Sequence, residues 1–300
     1  MYFIIYGLLY LVSLLPFFIL YAVSDFVYFI LYHVAGYRKK VVFQNLGIAF
    51  PEKTPEEKEK IARKFYKNFT DNFIETIKLL SISKQDFLQR AAINLDEVNA
   101  LAARGKNIQL HSGHQMNWEY AHLAIAKSIN LPWVGVYMQI TNNALDKLFL
   151  KIRSQGNAVM VPAQDIKTKG NTIFKKQYSL GLIGDQNPGA PASAYWLNFF
   201  NRPAPFVTGP DKGAVINNTA VVFIKMRKIK RGFYIFEPLI ITEEGSSLKK
   251  GELTLLYRDF LENSIREQPD NYLWSHRRWK WDWDPKYERK WIDKTKSPTQ

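Results

Sequence analysis

Apolar and polar positions follow three successive patterns along the 300 residues of this chain. The first pattern is apolar: residues 1–24 carry no charged side chain, and apolar, aromatic-rich sequence continues to Tyr37. In the second, the capping box Thr54-Pro55-Glu56-Glu57 precedes apolar positions at helical spacing. Those positions are Ile61, Phe65, Phe69, Phe73, Ile77 and Leu80. The second pattern predicts a long amphipathic helix whose aromatic stripe faces the core or a membrane.

The third pattern alternates short apolar runs with helical periodicity. Strand-like runs occupy residues 107–111, 133–138, 158–162 and 180–184, and helical patterns occupy residues 96–104, 118–127, 144–154 and 166–178. A strand pair at residues 219–226 and 232–237 precedes a last long helix at residues 252–266. This rhythm predicts an α/β fold in which helices flank a largely parallel central sheet.

The apolar start predicts an N-terminal membrane-anchoring helix. About 20 apolar residues cross a bilayer as a helix, so residues 1–21 are long enough to span it. The cations Arg38, Lys39 and Lys40 follow, and the positive-inside rule then places the rest of the chain on the cytoplasmic side. We therefore expect an anchoring or interfacial segment at residues 1–37 and a cytoplasmic-face domain at residues 38–300.

Two features keep alternatives open for this segment. Ala22, Val23 and Ser24 have the small residues of a signal-peptide cleavage site, but the basic start is missing and the apolar run continues past them, which favours an uncleaved anchor. Pro16 would kink a spanning helix, so a shallow re-entrant insertion is the alternative to a full span.

Composition narrows the function classes. The chain contains no cysteine, which excludes a thiol nucleophile, a disulfide framework and a thiolate metal site. Its net charge is +14, with basic clusters at residues 38–40, 225–231 and 277–280. Behind an anchor, such clusters suit anionic lipid head groups, phosphorylated substrates or an acidic protein partner. No nucleic-acid-binding motif accompanies them, so we expect no nucleic-acid partner.

The strongest candidate chemistry lies in a predicted strand-to-helix turn that carries His114. Gly113 permits a sharp exit from the strand, and Asn117 can cap the following helix so that Glu119 falls in its first turn. A carboxylate there would hold the imidazole in one tautomer, as in a general-base dyad. The alternatives are an ordinary surface or core pair, and a zinc site through His111 and His114. Because no other ligand spacing supports zinc, we expect no metal. The sequence also indicates no organic cofactor.

The remaining candidates sit at the ends of predicted elements, where ligands of α/β sheets collect. They are Arg153, Asp185, Gln186, Arg202, Thr208 and Gly209. Arg153 suits an anion clamp or merely complements a helix C-terminus. Asp185 and Gln186 directly follow a strand, where a plain turn is the alternative. Thr208 and Gly209 end an apolar loop at residues 199–210 and introduce a helix whose free N–H groups suit an anion or an oxyanion, although a purely structural loop is equally defensible.

In this order, the motifs resemble the bacterial lipid A biosynthesis acyltransferases of the lysophospholipid acyltransferase superfamily. The resemblance covers nearly the whole chain and combines the anchor with the following features. These are Asn45-Leu46, Phe50-Pro51, the HX4E pattern from His114 to Glu119, Arg153 with Gly156, Asp185-Gln186, the loop at residues 200–210, and Trp274 with His276-Arg277-Arg278. The NHX4D start and the Phe-Pro-Glu-Gly-Thr block of the glycerophosphate branch are missing, which disfavours that branch.

The resemblance implies a membrane-bound O-acyltransferase at the cytoplasmic face of the bacterial inner membrane. It would move a fatty acyl chain from an acyl thioester, usually acyl-acyl carrier protein but otherwise acyl-CoA, to a hydroxyl of a glycolipid such as a lipid A precursor. His114 would deprotonate that hydroxyl, Glu119 would orient His114, and Arg153 and Asp185 would shape or charge the site.

Two alternatives remain. One is transfer to another membrane lipid, such as a phospholipid, a mannosylated inositol lipid or an aminolipid. The other is a non-catalytic membrane protein that binds anionic lipid through its positive charge.

Overall fold

A seven-stranded sheet forms the centre of the computed structural model, which describes residues 2–156, 158–166, 168, 172 and 174–298. Its seven strands are β1 (Ala91–Ile93), β2 (Ile108–Ser112), β3 (Trp133–Tyr137), β4 (Ala158–Pro162), β5 (Ser179–Ile183), β8 (Ala220–Lys230) and β9 (Phe233–Thr242). Two further strands, β6 (Tyr195–Phe199) and β7 (Arg202–Phe206), form a separate two-stranded sheet. The helices are α1 (Tyr2–Leu14), α2 (Phe17–Phe29), α3 (Lys39–Ala49), α4 (Pro55–Lys78), α5 (Lys84–Arg90), α6 (Asp96–Ala103), α7 (Trp118–Ser128), α8 (Asn143–Arg153), α9 (Gly209–Ile216) and α10 (Glu252–Glu267).

The central sheet has the order β1-β9-β8-β2-β5-β3-β4. Strands β8, β2, β5, β3 and β4 run parallel, whereas β9 is antiparallel to β8 and β1 follows the direction of β9. The largely parallel α/β fold is confirmed. The helix predicted for residues 166–178 includes residues 167, 169–171 and 173, which lie outside the described residues.

The pairing of β2 with β5 decides where the site forms. Every residue of β2 is buried, and its register with β5 places Ser112 opposite Ile183. The two strands therefore end together, and the turns that leave them begin at the same edge of the sheet. His114 lies two residues past the end of β2, and Asp185 lies two residues past the end of β5.

The predicted N-terminal apolar helix is present, but the apolar start forms two helices, so no single helix covers residues 1–21. The break falls at Leu15 and Pro16, because proline lacks an N–H group and disfavours helical backbone at the preceding residue. Helix α2 continues through a π-helical turn, Ile30–Val34, so that Phe17–Val34 is long and apolar enough, by length and composition, to cross a membrane. Both helices pack against α4, where Lys78 Nζ donates to the carbonyl oxygens of Ser13 (2.8 Å) and Leu15 (3.0 Å).

The segment predicted as an apolar loop at residues 199–210 starts instead as a β-hairpin. Strands β6 and β7 pair antiparallel around a two-residue turn in which Phe200 and Asn201 have φ of 50° and 58°. Two central residues with positive φ match the twist of flanking strands, and Asn tolerates that conformation well. The hairpin leads directly to α9, so the helix predicted for residues 211–217 is present but begins two residues earlier, at Gly209.

Candidate active site

The turn after β2 is packed too tightly to hold a side chain at Gly113. A Cβ atom there would lie 2.6 Å from Cδ2 of Leu261 in α10 and 3.6 Å from Oδ2 of Asp185. Gly113 does not have a positive φ. It is therefore required for close approach of α10, and not for the conformational freedom that the sequence suggested.

A C-terminal segment fixes the same turn from the other side. The N–H of Leu273 donates to the carbonyl of His114 (3.1 Å), and the N–H of Met116 donates to the carbonyl of Asn271 (3.0 Å). The Asn271 side chain returns a bond to the carbonyl of Met116 (2.6 Å). These contacts join parts of the chain that are far apart in sequence, and sequence reasoning did not find them.

His114 pairs with Asp185. Its Nδ1 lies 2.5 Å from Oδ1 of Asp185, and its backbone N–H donates to Oδ2 at 2.8 Å. The Asp185 side chain is fully buried, while 19% of the His114 side chain is exposed. The other ring nitrogen, Nε2, lies 3.2 Å from Nε2 of Gln186. The imidazole is thus held on its inner side and reachable on its outer side.

The charge on Asp185 decides the tautomer of His114. Burial raises the pKa of Asp185, but the facing imidazole of His114, with hydrogen bonds from its ring and from the backbone N–H of His114, outweighs burial and leaves that pKa below its ordinary value. Asp185 is therefore a carboxylate at neutral pH and only accepts hydrogen bonds. In the neutral imidazole of His114, Nδ1 then carries the proton, and Nε2 holds the lone pair and accepts from the amide of Gln186.

Glu119 pairs with Arg153 instead of His114. Asn117 caps α7 as predicted, because its Oδ1 accepts from the N–H groups of Glu119 (3.0 Å) and Tyr120 (3.1 Å). From this first turn, the Glu119 carboxylate accepts from Arg153 Nε at 3.1 and 3.0 Å and from Arg153 Nη2. Burial raises the pKa of Glu119, but the opposing effect of Arg153 is larger and leaves that pKa below its ordinary value.

The predicted bond between His114 and Glu119 is thus replaced by two separate pairs. The physical reason is the strand order, which brings Asp185 to His114 while α8 brings Arg153 to the start of α7. Trp118 connects the pairs: its indole N–H donates to Glu119 (3.1 Å), and its ring packs edge-on against His114 at 5.6 Å.

A buried layer lies beneath Asp185. The hydroxyl of Tyr257, in α10, donates to the carbonyl of Ser112 (2.6 Å) and accepts from the N–H of Gly184 (3.1 Å), so it ties the ends of β2 and β5 together. Arg278 is 1% exposed, lies over the Phe206 ring at 4.3 Å and adds a smaller electrostatic contribution that lowers the pKa of Asp185. Arg278 therefore does not contribute to a basic surface at residues 277–280, because aromatic residues cover it.

The other predicted site residues belong to neither the His114–Asp185 pair nor the Glu119–Arg153 pair. Arg202 begins β7, is exposed, and its Nη2 lies 3.4 Å from Oδ1 of Asp282. Thr208 precedes α9 without a side-chain cap bond, and Gly209 is the first residue of that helix. No hydrogen bond in the described part of the chain joins these three residues to His114. Their neighbour Val207 packs near Gly184, where a Cβ atom would lie 3.4 Å from Val207 Cγ2.

His111, the second histidine of the stretch, is buried inside the sheet. Its Nε2 lies 3.0 Å from the side-chain amide of Gln109, and burial lowers the pKa of His111 to about 3. Among the residues that the structure describes, no group of three or more His, Asp or Glu side chains could hold a metal ion.

Comparisons with known proteins agree with one another. The sequence model of the family described as "Bacterial lipid A biosynthesis acyltransferase" matches residues 1–281. The chain is 24% identical to the lipid A biosynthesis lauroyltransferase of Escherichia coli (strain K12) over 278 residues, which cover 91% of this chain and 89% of that protein. It is 20% identical to the lipid A biosynthesis palmitoleoyltransferase of the same organism over 256 residues, which cover 81% of this chain and 79% of that protein.

Proposed function

The chain belongs to the bacterial lipid A biosynthesis acyltransferase family and is an acyltransferase, and we propose that it acylates a hydroxyl group of a lipid A-type membrane glycolipid. The proposed donor is an acyl thioester, acyl-acyl carrier protein in the first place and acyl-CoA as the alternative. The observation that carries the proposed chemistry is the 2.5 Å contact between His114 and the buried carboxylate of Asp185.

In the proposed reaction, Nε2 of His114 takes the proton of the acceptor hydroxyl as that oxygen attacks the thioester carbonyl. The new C–O bond forms, the C–S bond breaks, and the imidazolium returns the proton to the departing thiolate. Asp185 keeps Nδ1 protonated and stabilises the imidazolium. The amide of Gln186 occupies Nε2 in this structure, and the acceptor hydroxyl would take its place.

Glu119 has an indirect part in this proposal. It holds the Arg153 guanidinium and the Trp118 indole, and Trp118 in turn packs against the ring of His114. We assign Glu119 as a positioning residue and His114 as the catalytic base. Arg153 would present its charge at the rim of the site, where 20% of its side chain is exposed. Arg202, Thr208 and Gly209 remain proposed substrate-binding residues.

The proposed location is the cytoplasmic face of the inner membrane, with residues 1–37 as the anchor and residues 38–300 as the acyltransferase domain. Support comes from the apolar helix Phe17–Val34 and from large apolar side chains that α1 and α2 expose. These include Phe3, Ile4, Leu8, Leu11, Phe18 and Phe26, each more than half exposed. A soluble surface rarely carries so many contiguous apolar groups.

The test is lipid mass spectrometry on host cells that lack this protein, complemented with wild type, His114→Ala or His33→Ala. His33→Ala is the matched control because His33 is an exposed histidine outside the proposed catalytic domain. We expect one glycolipid class to regain a single acyl chain with wild type and the control, but not with His114→Ala. Full restoration by His114→Ala, at equal protein level, would refute the proposed base.

Purified wild-type protein, given the same glycolipid with acyl-acyl carrier protein or with acyl-CoA, then identifies the donor. A protein that binds the lipid but turns over neither donor would support the non-catalytic alternative.

A further inference from the structure

A cleft of about 580 Å³ lies outside the catalytic turn. One wall is a face of α3, which contributes Lys40 and Gln44. The opposite wall contains Arg202 at the start of β7 and the C-terminal side chains of Arg277 and Lys280. We call this the basic cleft, because it contains four cations and a single carboxylate, that of Asp282.

The positive charge of the basic cleft is largely unneutralised. Arg202 and Asp282 are 3.4 Å apart, and their side chains are 45% and 88% exposed, so solvent screens that pair. Lys40, Arg277 and Lys280 take part in no ion pair of the described residues. Cations gathered in a concave surface without counter-charges attract an anion and raise its local concentration.

Buried hydrogen bonds hold the two walls at a fixed distance. Asn45, on the buried face of α3, donates from Nδ2 to the carbonyl oxygens of Trp274 and His276, both at 2.7 Å. Arg38 Nη1 donates to the carbonyl of Ser275 at 3.0 Å. Because these bonds lock α3 to the segment that carries Arg277, the cations of the cleft are preorganised for a ligand and do not form a loose charged surface.

The basic cleft lies next to the loop of the catalytic pair. Asn187, the second residue after Asp185, donates from its backbone N–H to His276 Nε2 at 3.3 Å. Its side-chain amide donates to the carbonyl of Arg277. The loop that touches His114 through Asp185 and Gln186 therefore continues directly into the wall of the cleft.

The cleft also lies where the apolar segment ends. The π-helical turn Ile30–Val34 completes the apolar helix, and Lys40 stands in the first turn of the next helix, α3. If Phe17–Val34 enters a bilayer, Lys40 is at the level of the lipid head groups, where phosphate groups are found.

We propose that the basic cleft binds the phosphorylated sugar head group of the acceptor glycolipid, with Lys40, Arg277 and Lys280 contacting a phosphate monoester. The inference rests on the proposed function and names a recognition site for its acceptor. A cleft of about 580 Å³ has the size of a small-molecule or head-group site. Binding here would lead the lipid's hydroxyl toward His114 along the loop at residues 185–187.

The test compares the double variant Arg277→Gln/Lys280→Gln with a charge-matched control, Lys64→Gln/Lys230→Gln. The control removes two exposed lysines from a separate basic surface between α4 and the end of β8. Both proteins are assayed with the glycolipid acceptor in its phosphorylated form and after phosphatase treatment. Thermal unfolding, monitored by circular dichroism, establishes that both variants fold.

For the cleft variant we expect KM for the phosphorylated acceptor to rise about tenfold, since charge-assisted bonds to phosphate are lost. KM for the dephosphorylated acceptor, KM for the acyl donor and kcat should stay within about twofold of wild type. The control should match wild type throughout. An equal rise with both acceptor forms would overturn the proposal, and a rise in donor KM alone would assign the cleft to the donor.

A second measurement separates this proposal from the proposed function. Wild-type protein and the cleft variant are mixed with neutral detergent micelles that contain either acceptor form, and binding is measured by sedimentation. Tighter binding of wild type to the phosphorylated form, lost in the cleft variant, supports the cleft even if no acyl transfer is detected. If wild-type protein transfers acyl chains and the cleft variant does so equally well, the proposed role of the cleft is rejected, but the proposed acyl transfer is not.

Discussion

Two buried carboxylates, Asp185 and Glu119, flank the same turn and have different partners. Burial raises the pKa of each, and in each case the partner outweighs burial, so both are ionised. Asp185 faces the imidazole of His114, whose Nε2 is the proposed proton acceptor. Glu119 faces the guanidinium of Arg153, which keeps its proton. The comparison teaches that a carboxylate's partner, more than its burial, decides whether it serves proton transfer or structure.

The largest effect is expected for Asp185→Asn. This change keeps the shape of the side chain and removes the charge that holds Nδ1 protonated, so kcat should fall about 10³-fold. The measurement is kcat at saturating donor and acceptor, with exposed Asp96→Asn as a control for loss of a carboxylate. A kcat within about threefold of wild type would mean that Asp185 does not support the base.

The next effect concerns Glu119 and is mainly structural. Glu119→Gln leaves the largely buried cation of Arg153 without its carboxylate, so the free energy of unfolding should fall by about 3 kcal/mol. Adding Arg153→Met should recover part of this loss, because the unpaired charge is then removed. Urea unfolding of the two single variants and the double variant gives the coupling between the residues.

The same variant also tests the original sequence prediction. We expect kcat of Glu119→Gln to fall only about tenfold, since the base and Asp185 stay in place. If kcat instead falls as far as in Asp185→Asn while stability is unchanged, Glu119 acts on His114 directly, and the distinction between the two carboxylates fails.

A third prediction probes how closely the Asp185 side of the site is packed. Gly113→Ala places a methyl group 2.6 Å from Leu261 Cδ2 and 3.6 Å from Asp185 Oδ2. Leu261 is fully buried, so relief requires repacking, and the free energy of unfolding should fall by about 2 kcal/mol. With Leu261→Ala added, the double variant should lose less stability than the sum of the losses of the two single variants. Strict additivity in urea unfolding would show that the methyl group meets no obstacle.

Sequence patterns predicted the sheet because each strand is a short apolar run between helical periods. They also marked His114, Asp185, Gln186, Glu119 and Arg153 individually, since each stands at the end of an element. The pairing was missed because it depends on strand order: nothing local indicates that β5 lies beside β2.

Long-range packing accounts for the other failures. Contacts from Tyr257 and Asn271 cross about half of the chain to reach the turn, and no short-range period records them. Arg278 was grouped with the cations beside it in sequence, yet it is covered by aromatic rings from the β6–β7 hairpin. The broken N-terminal helix had a local signal in Pro16, which indicated a kink but not a separate second helix.

The smallest predicted effect is a pH dependence of stability that comes from His276, on the Asp185 side of the site. His276 supports the loop through Asn187, and burial, together with nearby cationic charge, lowers the pKa of His276 to about 4. The unfolded chain, with an ordinary histidine pKa of about 6.5, therefore binds more protons between pH 6.5 and 4, so stability falls as pH drops through that window. The native loop loses its acceptor for the N–H of Asn187 only as pH falls through about 4, where His276 itself takes up a proton. Since His276 is partly exposed, its share should be about 1 kcal/mol at pH 5.

His276→Gln keeps an acceptor that does not titrate, so we expect a shallower fall in Tm from pH 7.5 to pH 5 than in wild type, with exposed His33→Gln as the control. The pairing of Glu119 with Arg153 does not titrate in this range, so Glu119→Gln should lower Tm by a similar amount at both pH values. If His276→Gln leaves the slope unchanged, the pH dependence comes from the other buried histidines, His111 and His122, whose pKa values burial also lowers. The loop that carries Asp185 would then be no more sensitive to acid than the helix that carries Glu119.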